Sequence, residues 1–132
     1  KIRACFQDRK ECLAMDQNVI MKGILDSYPY PIVFVDSGYV IRYMNRYAEY
    51  HYYKERGYAG LIGKSIFDCH SREESKERIR SAFEQMKKDG KERFVGVNTR
   101  NLRIIMQPVR DEEGTLIGFF ERFELNLHIE QR

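Results

Sequence analysis

The sequence predicts an α+β domain, in which a five-stranded antiparallel sheet carries helices on one face and an additional helix at its N-terminal side. The first observation is the length of 132 residues, which suits one domain. The second is the order of the apolar patterns: one helix, two strands, short helices, a long helix and three strands. The third is the turn chemistry between successive strands, which favours hairpins. An antiparallel sheet covered on one face buries the apolar sides of such a series.

Composition excludes several classes of protein. The 23 basic and 20 acidic residues give a net charge of +3, and the signs alternate along stretches such as Arg72 to Arg78, which is typical of a solvated surface. Apolar runs fall short of the ~18 residues that a membrane helix needs, and no signal peptide is visible. Three cysteines, Cys5, Cys12 and Cys69, are an odd number and do not form a secreted disulfide framework. We therefore expect a cytoplasmic protein.

An amphipathic helix is predicted over about residues 16–27. Ile20 and Ile24 recur at helical spacing, and the helix ends before Pro29, because a residue that precedes proline is pushed out of the α region. Apolar residues lie on more than one side of this helix, so part of its apolar surface has no partner within the domain. An exposed apolar helix is a natural self-complementary contact, and we expect a homodimer through about residues 13–28.

The clearest element is a long helix predicted over about residues 72–88. Ser71 and Glu74 have the spacing of a capping box at its start, and Gly90 is a natural left-handed stop. Its core-facing stripe is formed by Ile79, Phe83 and Met86.

Five strands are predicted around this helix, with turn residues Asp36-Ser37-Gly38 and Asp111–Gly114 closing two hairpins. Their expected ranges are about 31–35, 39–44, 92–98, 102–110 and 115–124. Short helices are expected within the aromatic stretch 47–58. The predicted division of the chain is an N-terminal helical extension over 1–28, a domain over 29–124 and a C-terminal linker over 125–132.

Four segments resemble the PAS domain family: a first strand with an Asp-x-Gly turn, a second strand that runs into an Asn-x-x-Ala helix start, an Ile-Gly-Lys segment before the long helix, and the last hairpin. They are Ile32–Gly38, Ile41–Glu49, Leu61–Phe67 and Gln107–Gly118. The resemblance covers about residues 22–124. It implies a sheet and helices that enclose a small-molecule pocket, in a bacterial sensory or regulatory module that signals through its terminal helices. The Phe67–His70 segment resembles PAS domains attached to bacterial regulatory proteins.

Strand alternation and the hairpin match predict which side chains line this pocket. The apolar candidates are Val33, Val35, Ile79, Phe83, Leu102, Ile104, Met106, Gly118 and Phe120. Ser65 and His70 are the candidates for a polar handle. Because the lining is almost wholly apolar, a small apolar or planar ligand is expected. The alternative is that Phe83, Met106 and Phe120 fill the space at core density.

The sequence does not identify a cofactor. Flavin is disfavoured, because Ile66 stands where light-sensing relatives carry a reactive cysteine, and Leu102 and Phe120 stand where amides would read the flavin ring. Haem needs an axial ligand, which Cys69 or His70 could supply. The alternative for His70 is a bond to a backbone group beside the long helix.

No metal site, catalytic site or membrane contact is predicted. Cys5 and Cys12 are spaced too widely for the usual zinc pair. Cys69 and His70 are sequence neighbours, whereas catalytic pairs come from separate elements, so we expect no enzyme activity in this domain.

Six tyrosines leave a further alternative open: Tyr43, Tyr47, Tyr50, Tyr52, Tyr53 and Tyr58. Interleaved with basic residues, they could stack nucleic-acid bases, or they could cover the sheet with their hydroxyls in water. The leading hypothesis is a ligand-binding sensory module. The alternatives are a ligand-free PAS dimerisation module and a nucleic-acid-binding domain.

Overall fold

Residues 15–127 are described by a computed structural model. The α-helices are α1 (Gln17–Ser27), α2 (Arg46–Glu49) and α3 (Glu73–Asp89), with a π-helix over Tyr50–Glu55 and a 3₁₀ helix over Ile66–Cys69. The strands are β1 (Val33–Asp36), β2 (Ile41–Met44), β3 (Arg93–Val97), β4 (Leu102–Arg110) and β5 (Leu116–Leu125). They form one sheet in the order β2-β1-β5-β4-β3, and all neighbouring strands are antiparallel. The predicted five-stranded sheet is confirmed.

Helix α3 supplies the helical half of the core. Its buried residues are Ile79, Ala82, Phe83 and Met86. The Phe83 ring lies 4.8 Å from the ring of Phe119 on β5, and the helix ends at Gly90, whose φ is +69°. The predicted stripe and stop are therefore confirmed.

The predicted capping box at the start of α3 is wrong. Arg72 is the N-cap residue and makes no side-chain cap hydrogen bond, so the cap lies one residue after the predicted Ser71. The Glu74 carboxylate instead accepts a hydrogen bond from the Arg72 guanidinium at 3.2 Å. Two acidic residues in the first turn, Glu73 and Glu74, complement the helix dipole without a serine cap.

The first hairpin turns on Asp36, as predicted. Its Oδ1 accepts hydrogen bonds from the backbone N–H of Gly38 at 2.9 Å and of Val40 at 3.0 Å. Strand β2 begins at Ile41, later than predicted, because Tyr39 adopts a φ of +66° and Val40 forms an isolated bridge with Ser65.

A bulge in the last hairpin changes which residues of β5 face the core. Val109 pairs with Gly118, but Arg110 pairs with Leu116, so Ile117 is an extra residue on β5. An extra residue reverses the alternation beyond it. Leu116 packs against the core, and beyond the bulge the aromatic side chain that joins the core cluster is that of Phe119, not that of Phe120. Gly118 is also buried but has no side chain to contribute.

Gly118 lies where two strands approach closely. A Cβ built at this position would come within 2.1 Å of the Val35 carbonyl oxygen and 2.8 Å of Phe34 Cζ. The backbone approach therefore accounts for this glycine, and it does not open a space in the centre of the domain.

Helix α1 confirms the predicted element but contributes no buried residue. Val19 and Ile24 are 60% and 65% exposed. The helix is held at its C-terminal end, where Asp26 Oδ1 accepts from the Arg46 N–H at 2.9 Å. Residues 13 and 14 of the predicted dimer segment lie outside the described residues.

Strand β5 continues to Leu125, the residue at which the C-terminal linker is predicted to begin. Residues 128–132 of the predicted linker lie outside the described residues, and the linker boundary stays a prediction. In the described part of the chain, no helix has the length and apolar character to cross a membrane.

Asn45 connects three segments at one fully buried point. Its Oδ1 accepts from the backbone N–H of Ile32 and Ala48, each at 2.9 Å. Its Nδ2 donates to the carbonyls of Leu25 and Tyr30, also at 2.9 Å each. One amide thereby satisfies backbone groups from α1, the segment before β1, and α2.

We expect Asn45→Ala to lower the free energy of unfolding by roughly 2–4 kcal/mol, since it leaves buried backbone groups unpaired. Asn45→Asp should also destabilise the fold, because its second oxygen would face two carbonyls. Urea denaturation checks this, with exposed Asn18→Ala as the control, expected to change stability by less than ~0.5 kcal/mol. Equal midpoints for Asn45→Ala and Asn18→Ala would contradict it.

Candidate ligand cavity

A small cavity lies between the sheet and the helical segments. Its volume is about 30 Å³, which is room for one or two water molecules. The side chains that line it are Pro31, Val33, Val35, Tyr52, Ile66, Phe119, Glu121 and Phe123. A space of this size does not admit a haem or a flavin without displacement of its walls.

Glu121 is the charged residue in this lining. It pairs with Met106 across β4 and β5, so its side chain projects from the core face of the sheet. No hydrogen bond to its carboxylate occurs among residues 15–127. Burial raises the pKa of Glu121 to about 6, and Arg78 partly opposes this rise. The carboxyl group therefore changes charge within the physiological range.

Tyr52 lines the cavity from the π-helix, and Arg56, the residue that follows this helix, lies against Tyr52. Burial raises the pKa of Tyr52, so its phenol stays protonated. The Arg56 guanidinium lies 5.3 Å from the Tyr52 ring centre and 5.1 Å from that of Tyr58. It also donates to the Cys69 carbonyl at 3.1 Å. The Arg56 guanidinium is therefore held by the Cys69 carbonyl and by two tyrosine rings.

Cys69 and His70 share one backbone acceptor. The Cys69 thiol donates to the Ile66 carbonyl at 3.2 Å, and burial raises the pKa of Cys69 to about 11. The His70 Nδ1 lies 3.0 Å from the same carbonyl, and burial lowers the pKa of His70. A protonated thiol is a poor nucleophile, and His70 bonds a backbone group, as the alternative in the sequence analysis expected.

Metal ligation receives no support from the described side chains. Residues 15–127 contain no group of three or more His, Cys, Asp or Glu side chains arranged to hold a metal ion. Cys5 and Cys12 lie outside the described residues.

The structure places the predicted pocket residues in different surroundings. Val33 and Val35 line the cavity. Ile79, Phe83 and Met106 are buried in the core beside it, and Leu102 and Ile104 alternate with the same face as Met106. The Ser65 side chain makes a local hydrogen bond: its Oγ accepts from the Phe67 N–H at 3.2 Å.

Gly118 and Phe120 are placed on the opposite face of the sheet, which corrects the predicted strand face. Phe120 pairs with Gln107, and Gly118 pairs with Val109. Both pairs are an odd number of residues from the pair Met106–Glu121 in a continuous register, so they face the other side of the sheet. The bulge at Ile117 lies between them and Leu116, which the prediction had placed on the same face. Alternation forward from Phe119 places Glu121 and Phe123 in the lining. The prediction missed both because it assigned the opposite face of β5 to the core.

The tyrosines divide between packing and exposure. Tyr52, Tyr53 and Tyr58 pack against the core, whereas Tyr47 and Tyr50 are exposed. This arrangement fits the covering role better than a continuous base-stacking surface.

We expect Glu121→Gln to stabilise the domain at high pH. Because the folded-state pKa is above the ordinary value, the wild-type stability linked to this group is complete at low pH and is lost as pH rises through about 6. The gain should be roughly 2 kcal/mol at pH 8 and less than ~1 kcal/mol at pH 5. Urea denaturation at both pH values measures it.

Glu113→Gln in the exposed β4–β5 turn is the matched control and should follow the wild-type pH profile. A gain for Glu121→Gln that is the same at pH 5 and pH 8 would show that Glu121 does not titrate as described.

Comparisons with known proteins agree with this architecture. The family model described as PAS domain matches residues 21–124. Similar solved structures include the C-terminal domain of a Streptococcus mutans protein, with 16% identity, a TM-score of 0.64, and coverage of 84% of this chain and 86% of that one. The PAS domain of a Colwellia psychrerythraea protein shares 18% identity with a TM-score of 0.59, over 82% and 97% of the two chains.

A third similar structure is histidine kinase ThkA, solved in complex with the response regulator TrrA. It shares 21% identity with a TM-score of 0.54, over 82% of this chain and 32% of that chain. A comparison with curated proteins found no match. The structural likenesses show the shared fold, and the family match extends over most of the sequence. The chain belongs to the PAS domain family.

Proposed function

We propose that this domain is a sensory module of a bacterial signal-transduction or transcription-regulating protein, which binds a small ligand and signals through its terminal helices. The observation that carries the proposal is the cavity between the sheet and the helices, with a carboxylate that has no described hydrogen-bond partner. The likeness to histidine kinase ThkA, whose structure includes a response regulator, supports a signalling context.

Two connections lead from the cavity to the ends of the domain. Val33 and Val35 line it from β1, and the segment just before β1 is joined to α1 through Asn45. Glu121 and Phe123 line it from β5, which ends at Leu125. A change in the cavity can therefore act on the N-terminal helix and on the chain that leaves the sheet.

Self-association through α1 completes the proposal. The exposed side of α1 and the turn after it form an open groove, lined by Met15, Val19, Ile20, Gly23, Ile24, Ser27, Tyr28 and Pro29. Most of this lining is apolar, and an exposed apolar helix face is suited to pairing with its own copy. A homodimer would bring two N-terminal helices together where each is linked to its cavity.

A ligand-free dimerisation module is the second candidate. The small volume of the cavity, about 30 Å³, favours this ligand-free module over a sensor that binds a large ligand. A nucleic-acid surface has less support, because Arg56 is engaged with Tyr52, Tyr58 and the Cys69 carbonyl.

We expect the double substitution Val19→Glu and Ile24→Glu to convert the dimer to a monomer, since charges would be placed in the apolar contact. Sedimentation equilibrium at micromolar concentrations measures the change, and circular dichroism checks the fold. Ile62→Glu is the control, because Ile62 is also an exposed apolar residue but lies away from α1. A wild-type protein that sediments as a monomer would contradict the dimer.

We expect Val35→Ile to imitate a bound ligand, because it adds one methylene to the cavity wall. If the cavity is coupled to α1, the dimer dissociation constant should change by about fivefold or more. Val97→Ile adds the same methylene at an exposed site on β3 and should leave the constant unchanged. Equal constants for both variants and wild type would favour the ligand-free dimerisation module.

A further inference from the structure

The chemistry of the cavity is more specific than its apolar lining suggested. Three of its walls are aromatic rings, Tyr52, Phe119 and Phe123, and the carboxylate of Glu121 enters the same space. Aromatic faces attract cations, and an ionised carboxylate only accepts hydrogen bonds. Aromatic rings together with one carboxylate form a set of groups that suits a positively charged hydrogen-bond donor.

The protein itself supplies no hydrogen-bonded cation to Glu121 within the described residues. Arg56 is bound to the Cys69 carbonyl and lies over two tyrosine rings. Arg78 acts on Glu121 through its charge, without a hydrogen bond between them among residues 15–127. Glu121 is half-buried, and a carboxylate that is partly removed from water without a hydrogen-bonded partner costs free energy when it is ionised. A cationic ligand would offset that cost.

We infer that the cavity binds a small primary amine as its ammonium ion, with the Glu121 carboxylate as counter-ion and the aromatic walls around its apolar part. The inference rests on the proposed sensory function and names the class of ligand for the same cavity. A volume of about 30 Å³ limits the ligand to a few non-hydrogen atoms, and methylammonium is a primary ammonium ion of that size.

Ionisable groups on three sides of the cavity decide how binding depends on pH. Glu121 interacts through its charge with Arg78 of α3, with Tyr52 of the π-helix and with Cys69 of the 3₁₀ helix. Arg56, which follows the π-helix, acts on Tyr52 and Cys69. Burial raises the pKa values of Tyr52 and Cys69, so both stay neutral below pH 8. Glu121, with a pKa of about 6, therefore changes charge between pH 5 and pH 8. His70, whose pKa burial lowers, lies beside Cys69 and is the second ionisable group to be tested.

Methylammonium chloride is the probe, titrated into the wild-type protein and followed by calorimetry and by backbone amide NMR shifts. Sodium chloride at the same ionic strength and methanol, a neutral molecule of similar size, are the ligand controls. The amine keeps its proton at pH 5 and pH 7.5, as lysine does with a pKa of about 10.4. With a Glu121 pKa of about 6, its affinity should fall about tenfold from pH 7.5 to pH 5.

Glu121→Gln should weaken methylammonium binding at pH 7.5 by about tenfold or more and remove the pH dependence. Glu113→Gln should bind as the wild type does, and urea denaturation shows whether each variant is folded. A pH dependence that persists in Glu121→Gln would assign it to His70 and overturn the inference. Equal binding of methanol, or no binding of methylammonium to the wild type, would also overturn it.

Failure of this inference is distinct from failure of the sensory function. If methylammonium does not bind but Val35→Ile changes the dimer dissociation constant, the cavity is coupled to α1 and the amine is the wrong ligand. If neither effect appears, the sensory function fails as well.

Discussion

Four hydrogen bonds to the side chain of Asn45 hold the N-terminal half of the domain together. A single buried amide satisfies two backbone donors and two backbone acceptors that come from separate segments. An apolar residue cannot replace it, because each of those groups would lose its partner in a place that water does not reach. The path of the chain from α1 into β1 and from β2 into α2 therefore depends on this residue.

The second constraint is the bulge on β5 at Ile117. One additional residue turns Phe119, Glu121 and Phe123 toward the helices and turns Gly118 and Phe120 away from them. Without that shift, the cavity would contain no carboxylate. The burial of Glu121 is unfavourable when the group is ionised, as its raised pKa indicates. A half-buried ionisable group in a cavity lowers stability, and groups of this kind are found at functional sites.

Helix α1 shows how the domain can connect a buried site with an exposed surface. Its C-terminal end is fixed by the Asn45 amide and by the bond between Asp26 and Arg46. Val19 and Ile24 remain exposed, so the free energy of their burial is still available to a partner. The helix is thus attached where it meets the domain and unpartnered along its apolar side, which suits a contact that changes with the state of the cavity.

The sequence by itself determined the architecture. Apolar periodicity located α1, α3 and the strands, and turn residues such as Asp36 and Gly90 set their ends, because these signals arise from contacts close along the chain. It could not locate the cap of α3, where Ser71 and Glu74 had the required spacing but Arg72 took the position. Only the tertiary structure decided the site: a bulge in strand pairing selected which side chains of β5 face inward, and the fold left Glu121 half-buried in a cavity that Tyr52 also lines. Pairing register and burial depend on residues far apart in sequence, so local patterns do not contain them.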